Sequence, residues 1–353
     1  MIHVRAEAAK NIKNVAANKG EESAMKLDKV RWGIIGCGDV TEVKSGPAFQ
    51  KINHSELVAV MRRTGALARD YAKRHNIPKW YDNADELIND PEVDAVYIAT
   101  PPGSHKEYTI KAAKAGKPVY VEKPMARNFE ECQEMIADCE EAGVPLYVAY
   151  YRRAQQRFLK IKELLENGEV GDVRFVSSTQ YQKASPDVLD PQNLPWRVQP
   201  ELAGGGLFYD LASHTLDILD FLLGPITSVQ GFASNQADYY RAEDIVTGTY
   251  RFESGIHGVG NWCFTAFEDV DVNEIVGSKG KITFSTFGND PIVLTTTRGT
   301  EQWSFEPPEH VHQPLVETIV ADLTTGSSQC PSCGVSGART NWVMGELVKN
   351  YYL

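Results

Sequence analysis

Between residues 29 and 149, short β-branched runs alternate with helical patterns, and this rhythm restricts the fold more than any other feature of the chain. The runs are VRWGIIG (30–36), ELVAVM (56–61), VDAVYIAT (93–100), KPVYVE (117–122) and VPLYVAY (144–150). They are separated by segments such as SHKEYTIKAAKAG (104–116) and EECQEMIADCEEAG (130–143). Alternation of this kind builds a parallel sheet covered on both faces. Gly116 and Gly143 stand where two of the helices should stop, as left-handed C-terminal caps.

After Tyr150 the texture changes. A helical stretch, RFLKIKELLENG (157–168), leads into runs that alternate apolar and polar residues: VRFVSSTQY (173–181), TGTYRFES (247–254), HGVGNWCF (257–264) and KITFSTF (281–287). These read as an antiparallel sheet with one solvated face. The tail, PLVETIVADLT and ARTNWVMGELVKNYY, is again helical. Three regions follow: a disordered or weakly helical leader over 1–28, a nucleotide-binding unit over 29–150, and an α/β unit with C-terminal helices over 151–353. A length of 353 residues with 42% hydrophobic and 24% charged residues suits two such domains.

A net charge of −11 argues against a nucleic-acid partner, because phosphate neutralisation needs excess Lys and Arg over a broad surface. No apolar run is long enough to span a bilayer and no secretory h-region opens the chain, so the expected location is the cytoplasm. The six cysteines read as packing residues. Cys330 and Cys333 form one lone C-x-x-C, and no metal site is expected from it.

Gly36-Cys37-Gly38-Asp39-Val40-Thr41 follows the first strand directly. Two glycines at this spacing allow a tight turn and close approach of backbone to a pyrophosphate, which the free N–H groups of the next helix attract. Thr41 stands where a third small residue is usual. At the end of ELVAVM, where an acid would hold the ribose hydroxyls of NAD, stand Arg62 and Arg63. Guanidinium groups bond a 2′-phosphate that an acid would repel, so the pair favours NADP, with NAD as the alternative.

Glu122, Lys123 and Pro124 close the strand KPVYVE, at the end of an open α/β sheet where ligands bind. A lysine there can face a nicotinamide; its reference pKa of about 10.4 must fall, through burial or a cationic neighbour, before it exchanges protons near neutrality. Gly204, Gly205 and Gly206 open a long helix on which Asp210, His214 and Asp217 share one stripe, flanked by Leu207, Leu211 and Ile218. Ser213 and Asp220 fall on the opposite, solvent-type arc. Carboxylates and an imidazole beside a buried face are costly unless they serve a polar site, and a carboxylate-held histidine suits a group that takes and returns a proton.

Taken together, these pieces resemble the Gfo/Idh/MocA oxidoreductases over residues 29 to 350. The likeness rests on the strand with G-x-G, the run Ala99-Thr100-Pro101-Pro102 with His105 after it, the Glu-Lys-Pro triplet, and the G-G-G-x-x-x-D-x-x-x-H-x-x-D helix. It implies a Rossmann domain with a doubly wound parallel sheet, then an α+β domain with a large, mostly antiparallel open sheet. It implies hydride transfer between nicotinamide and a hydroxyl or carbonyl carbon of a sugar or polyol, and a homo-oligomer formed through the C-terminal sheet. Lys123, Asp210 and His214 would form the catalytic group, His214 carrying the proton, oriented by Asp210 and assisted by Lys123. Thr100, Pro101, Pro102, His105, Glu122, Pro124, Arg152, Trp196 and Arg197 would join Gly36, Cys37, Gly38, Asp39, Val40, Arg62 and Arg63 around cofactor and substrate. Many members carry Asn where Pro102 stands. The same resemblance leaves open an NAD-dependent glycosidase, which shows no net redox change, and a non-catalytic NADP-binding sensor, which would lack part of the Lys, Asp and His set.

Overall fold

The structure is a computed structural model that describes residues 26–352; the leader expected over 1–28 lies, apart from Lys26, Leu27 and Asp28, outside the described residues. The β-branched runs of the first half form β1 (Val30–Ile35), β2 (Ser55–Met61), β4 (Ala95–Ile98), β5 (Val119–Val121) and β6 (Leu146–Val148). With β3 (Lys79–Tyr81) they make a six-stranded parallel sheet in the order β3-β2-β1-β4-β5-β6. Strand β3 leaves no mark in the sequence: it is a three-residue edge strand, too short to show an alternation.

The crossovers carry α1 (Asp39–Glu42), α2 (Ala48–Lys51), α3 (Gly65–Arg74), α4 (Ala84–Ile88), α5 (His105–Lys114) and α6 (Phe129–Glu141). Gly116 and Gly143 follow α5 and α6 with φ of 73° and 67°, the left-handed caps their positions called for. Strand order reverses between β1 and β4, so a crevice opens at the C-terminal ends of the central strands.

The second half holds α7 (Gln156–Glu166), β7 (Val173–Tyr181), α8 (Pro200–Ala203), α9 (Leu207–Leu223) and β8 (Ile226–Ser234). There follow β9 (Ile245–Phe252), β10 (His257–Cys263), β11 (Val270–Gly277), β12 (Gly280–Phe284), β13 (Ile292–Thr296) and β14 (Gly299–Trp303). These strands form an eight-stranded sheet, β14-β13-β12-β11-β7-β10-β9-β8, antiparallel except for the β7–β10 pair. Its inner face, with Val176, Tyr250, Trp262 and Ile275, is buried against α7 and α9 and against the final helix, α11 (Gly334–Tyr352). Full burial of each such side chain stabilises the fold by about 1.5–3 kcal/mol. The other face exposes Phe175, Phe232, Val259 and Val272.

Before α11 the chain returns to the first sheet. Leu315, Val316, Ile319, Val320 and Leu323 of α10 (Gln313–Thr325) pack in one core with Val30, Trp32 and Ile34 of β1. Ala338 of α11 joins the core on the other face of that sheet.

Helix α9 departs from the amphipathic reading. Ser213 and Asp220, placed on a solvent arc by periodicity, are 0% and 6% exposed, because neighbouring elements cover that side as well. Asp217 does not face the crevice. Arg153, on the turn after β6, donates to both of its carboxylate oxygens and to Asp220, and Asp220 also accepts from Arg339 of α11. Asp217 therefore ties α9 to the turn that follows β6.

Candidate active site

The β1–α1 turn is built as the G-x-G spacing requires. Gly36 has φ of 92°, and a Cβ there would lie 3.0 Å from the Ala99 carbonyl, so the β1 and β4 ends close together at this point. In front of Gly38 the nearest atom to such a Cβ would be 3.9 Å away, which leaves the turn open for a ligand to approach its backbone. Thr41 is fully buried and its hydroxyl donates back to Gly38 O at 2.7 Å, so it braces the turn from within. Cys37 also points inward, and burial pushes its thiol up to about 11. Asp39 is exposed and Val40 half-buried at the start of α1, a helix of a single turn. Arg62 and Arg63 are exposed at the end of β2, and Arg62 Nη1 reaches Cys37 O at 3.5 Å. The two glycines, their open face and the adjacent guanidiniums fit a dinucleotide.

Thr100 and Pro101 are half-exposed beside this turn, while Pro102 is buried. His105 does not reach the crevice. It is fully enclosed, its ring nitrogens lie 2.7 Å from Thr100 O and 3.1 Å from Met125 O, and burial pushes its pKa down. The ring thus fastens the β4 end to the loop after Pro124 and cannot touch a ligand itself.

Glu122 is likewise buried. Tyr97 donates to its carboxylate at 2.5 Å and so does the Lys123 backbone N–H at 3.1 Å; burial raises its pKa against these bonds. Pro124, buried, follows a cis peptide bond. Lys123 turns to α9: its Nζ donates to Asp210 Oδ1 at 2.5 Å and to Asp210 O at 2.9 Å. Arg197 Nε donates to the other carboxylate oxygen at 3.1 Å and stacks its guanidinium on the Trp196 ring, 4.6 Å from the centroid. Burial alone would push the Asp210 carboxyl up, but Lys123 and Arg197 outweigh it and hold it below the usual range.

The expectation that Asp210 orients His214 is corrected by these partners. His214 Nδ1 accepts from Arg152 Nη1 at 2.7 Å, and Arg152 is itself fixed by donating to Thr286 O and to the Tyr151 hydroxyl. Since a guanidinium only donates, Nδ1 must be the lone-pair nitrogen, and the neutral ring carries its proton on Nε2. Burial, followed by the positive charges of Arg152 and Lys123, pushes the His214 pKa well below its ordinary value. The ring is therefore a neutral donor through Nε2, not an imidazolium stabilised by a carboxylate.

Several groups here escaped sequence reasoning. His312, just before α10, lies 2.9 Å through Nδ1 from the Tyr120 hydroxyl, and its Nε2 is 3.6 Å from Glu122 Oε1; burial brings its pKa to about 3. Phe287 packs edge-on to His214 at 5.5 Å and under Arg152 at 4.6 Å. Glu243, buried with its carboxyl pushed up to about 7, accepts from the Gly206 N–H at 2.9 Å and from the Tyr352 hydroxyl. It thereby caps the helix that carries Asp210 and His214. None of the three carries a local motif; they arrive from 37 residues away, as with Glu243 and Gly206, to 192, as with His312 and Tyr120.

The arrangement has counterparts among known proteins. Residues 30–150 match the model of an oxidoreductase family with an NAD-binding Rossmann fold, and residues 158–283 match the Gfo/Idh/MocA C-terminal domain. An oxidoreductase of Formosa agariphila is 39% identical over 86% of this chain and 94% of its own length. The 1,5-anhydro-D-fructose reductase of Ensifer adhaerens is 30% identical over 82% and 86% respectively. Among solved structures, the aldose–aldose oxidoreductase from Caulobacter crescentus complexed with glycerol superposes with a TM-score of 0.79 at 26% identity, covering 92% of this chain and 96% of that one. With its parallel dinucleotide-type sheet, open glycine turn and Lys123–Asp210 pair, the chain belongs to the Gfo/Idh/MocA family of NAD-binding oxidoreductases.

Proposed function

We propose that this protein interconverts a hydroxyl and a carbonyl on a sugar or polyol, with NADP preferred over NAD. The observation that carries the reading is the convergence of Lys123, Asp210 and His214 at the C-terminal ends of the parallel strands. The names of the related reductase and oxidoreductase, an anhydrosugar and an aldose enzyme, support the substrate class. The nicotinamide, when bound, gives or takes the hydride.

The side chains divide the remaining work. Lys123 Nζ uses two of its three N–H bonds on Asp210, leaving one for the substrate oxygen. In reduction it passes a proton to that oxygen, and in oxidation it takes one back, with Asp210 and Arg197 fixing its position. His214 Nε2–H donates to the same oxygen and orients it. It is not the proton carrier, because giving up the Nε2 proton while Nδ1 accepts from Arg152 would leave an imidazolate. Arg62 and Arg63 would bond a 2′-phosphate. A second copy of the chain would cover the exposed apolar face of the second sheet; light scattering that finds only monomer would refute that part.

The deciding experiment follows NAD(P)H absorbance with D-glucose, D-xylose, myo-inositol, glycerol and 1,5-anhydro-D-fructose. Net cofactor oxidation or reduction is expected with at least one, and Lys123→Met should lower that rate by about 10³-fold or more while cofactor still binds. Absence of turnover across the panel, or release of an aglycone from a chromogenic glycoside with no net redox change, would overturn the reading.

A further inference from the structure

A cavity of about 500 Å³ opens beside the proposed reaction centre, between the end of β7 and the start of β11. Pockets of roughly 300–1,000 Å³ are the usual size for small-molecule sites. Phe287 forms part of its wall, and the same ring packs against His214 and Arg152, so cavity and reaction centre share one side chain. The wall on that side is rigid. The Asp271 carboxylate accepts from the backbone N–H groups of Thr286, Phe287 and Gly288, and Thr286 O in turn receives Arg152 Nε.

Gln180 lines this cavity and is only 3% exposed. Among the described residues, neither its amide oxygen nor its amide nitrogen has a hydrogen-bond partner. Buried amides are nearly always bonded, since an unpaired one forfeits its hydration without return. An amide offers an acceptor and donors side by side, the complement of two adjacent hydroxyl groups, each able to donate and accept. A carboxylate or phosphate would satisfy the nitrogen only, and the charged residues lining the cavity are two carboxylates, Asp269 and Asp271, against one ammonium, Lys183.

We propose that Gln180 is a specificity-determining residue that bonds a hydroxyl pair on the substrate, away from the carbon at which hydride moves. The substrate class is therefore an uncharged compound with at least three hydroxyl or carbonyl oxygens: one at Lys123 and His214, two at Gln180. This rests on the reading of the chain as a sugar or polyol oxidoreductase.

The test uses the full chain with NADP, the best substrate of the panel above, and that substrate's monodeoxy analogues. Gln180→Met, close in size and without polar hydrogen bonds, should lower kcat/KM by roughly 10- to 100-fold, chiefly through KM, while cofactor binding by fluorescence and the melting temperature stay near those of the parent. The parent should lose a similar factor on one or two deoxy analogues, and the variant should lose little more on those, because the bond is already gone. Gln180→Glu, which keeps the acceptor and loses the donor, should also be impaired, and serves if the methionine variant does not fold. Should the parent turn over a panel compound and both variants keep its kcat/KM and its ranking of analogues within about twofold, the role of Gln180 is wrong while the oxidoreductase reading stands. If the parent turns over nothing, that reading fails and this inference falls with it.

Discussion

Replacing Arg153 by Met tests whether the buried charge cluster sets the position of α9. Arg153 is buried, with a side chain 4% exposed, between Asp217 and Asp220, whose side chains are 1% and 4% exposed. It donates to Asp217 at 2.7 and 2.9 Å and to Asp220 at 3.0 Å. Removing the cation leaves Asp217 buried and unpaired, at a cost of about 3–5 kcal/mol, a large part of the 5–15 kcal/mol that holds a domain folded. Arg339 still pairs with Asp220, so the lower end of that range is expected. The pH dependence gives a second handle. Burial pushes the Asp217 carboxyl up to about 6 even beside Arg153. A folded-state value above the unfolded one means that its contribution is intact at low pH and is lost as pH rises through 6. Without Arg153 the shift grows, so the penalty of the variant should be larger at pH 8 than at pH 5, by at most about 1.4 kcal/mol per pH unit. Guanidinium unfolding followed by tryptophan fluorescence reads both cores, since Trp32 lies in one and Trp262 in the other. A loss below about 1 kcal/mol, or one equal at both pH values, would refute the account.

Asp210→Asn should keep the fold and lower kcat/KM by about 10²-fold, since Lys123 and Arg197 lose the charge that fixes them; unchanged kinetics would place the carboxylate outside the reaction. His214→Ala should cost less than Lys123→Met in single-turnover hydride transfer, because the ring donates a bond and does not carry the proton; the reverse order would return that role to the histidine. Arg63→Ala should narrow the ratio of NADP to NAD affinity by about tenfold, and a parent protein that binds NAD more tightly would refute the preference outright.

The sequence made the first sheet legible because its strands are buried on both faces and so nearly free of polar residues, and because Gly36 and Gly38 mark the first turn. Periodicity also grouped Asp210, His214 and Asp217, but it could not say what each would meet. Arg152 and Arg153 are neighbours in the chain, yet one fixes His214 and the other Asp217, a division that only the packing of α9 on the turn after β6 reveals. Strand β8 shows no period-2 alternation, because its large apolar residues, Ile226, Val229 and Phe232, fall three apart. Gln180 lies in a run whose alternation marks it as a strand, but its value depends on being unpaired, which no pattern of residue types records.

The return of α10 to the first sheet bears on how the protein is made. Its apolar residues begin at Leu315, whereas the last strand of that sheet ends at Val148. A ribosome adding roughly 5–20 residues per second leaves one face of the finished strands without the α10 part of its cover for on the order of ten seconds or more. During that interval Trp32 and Tyr97 can pack on Phe49 and Tyr120, but the core still lacks Leu315, Val316, Ile319, Val320 and Leu323. The nascent chain thus carries a sticky, half-clad sheet past the exit tunnel until α10 has been made, a natural window for a holding chaperone.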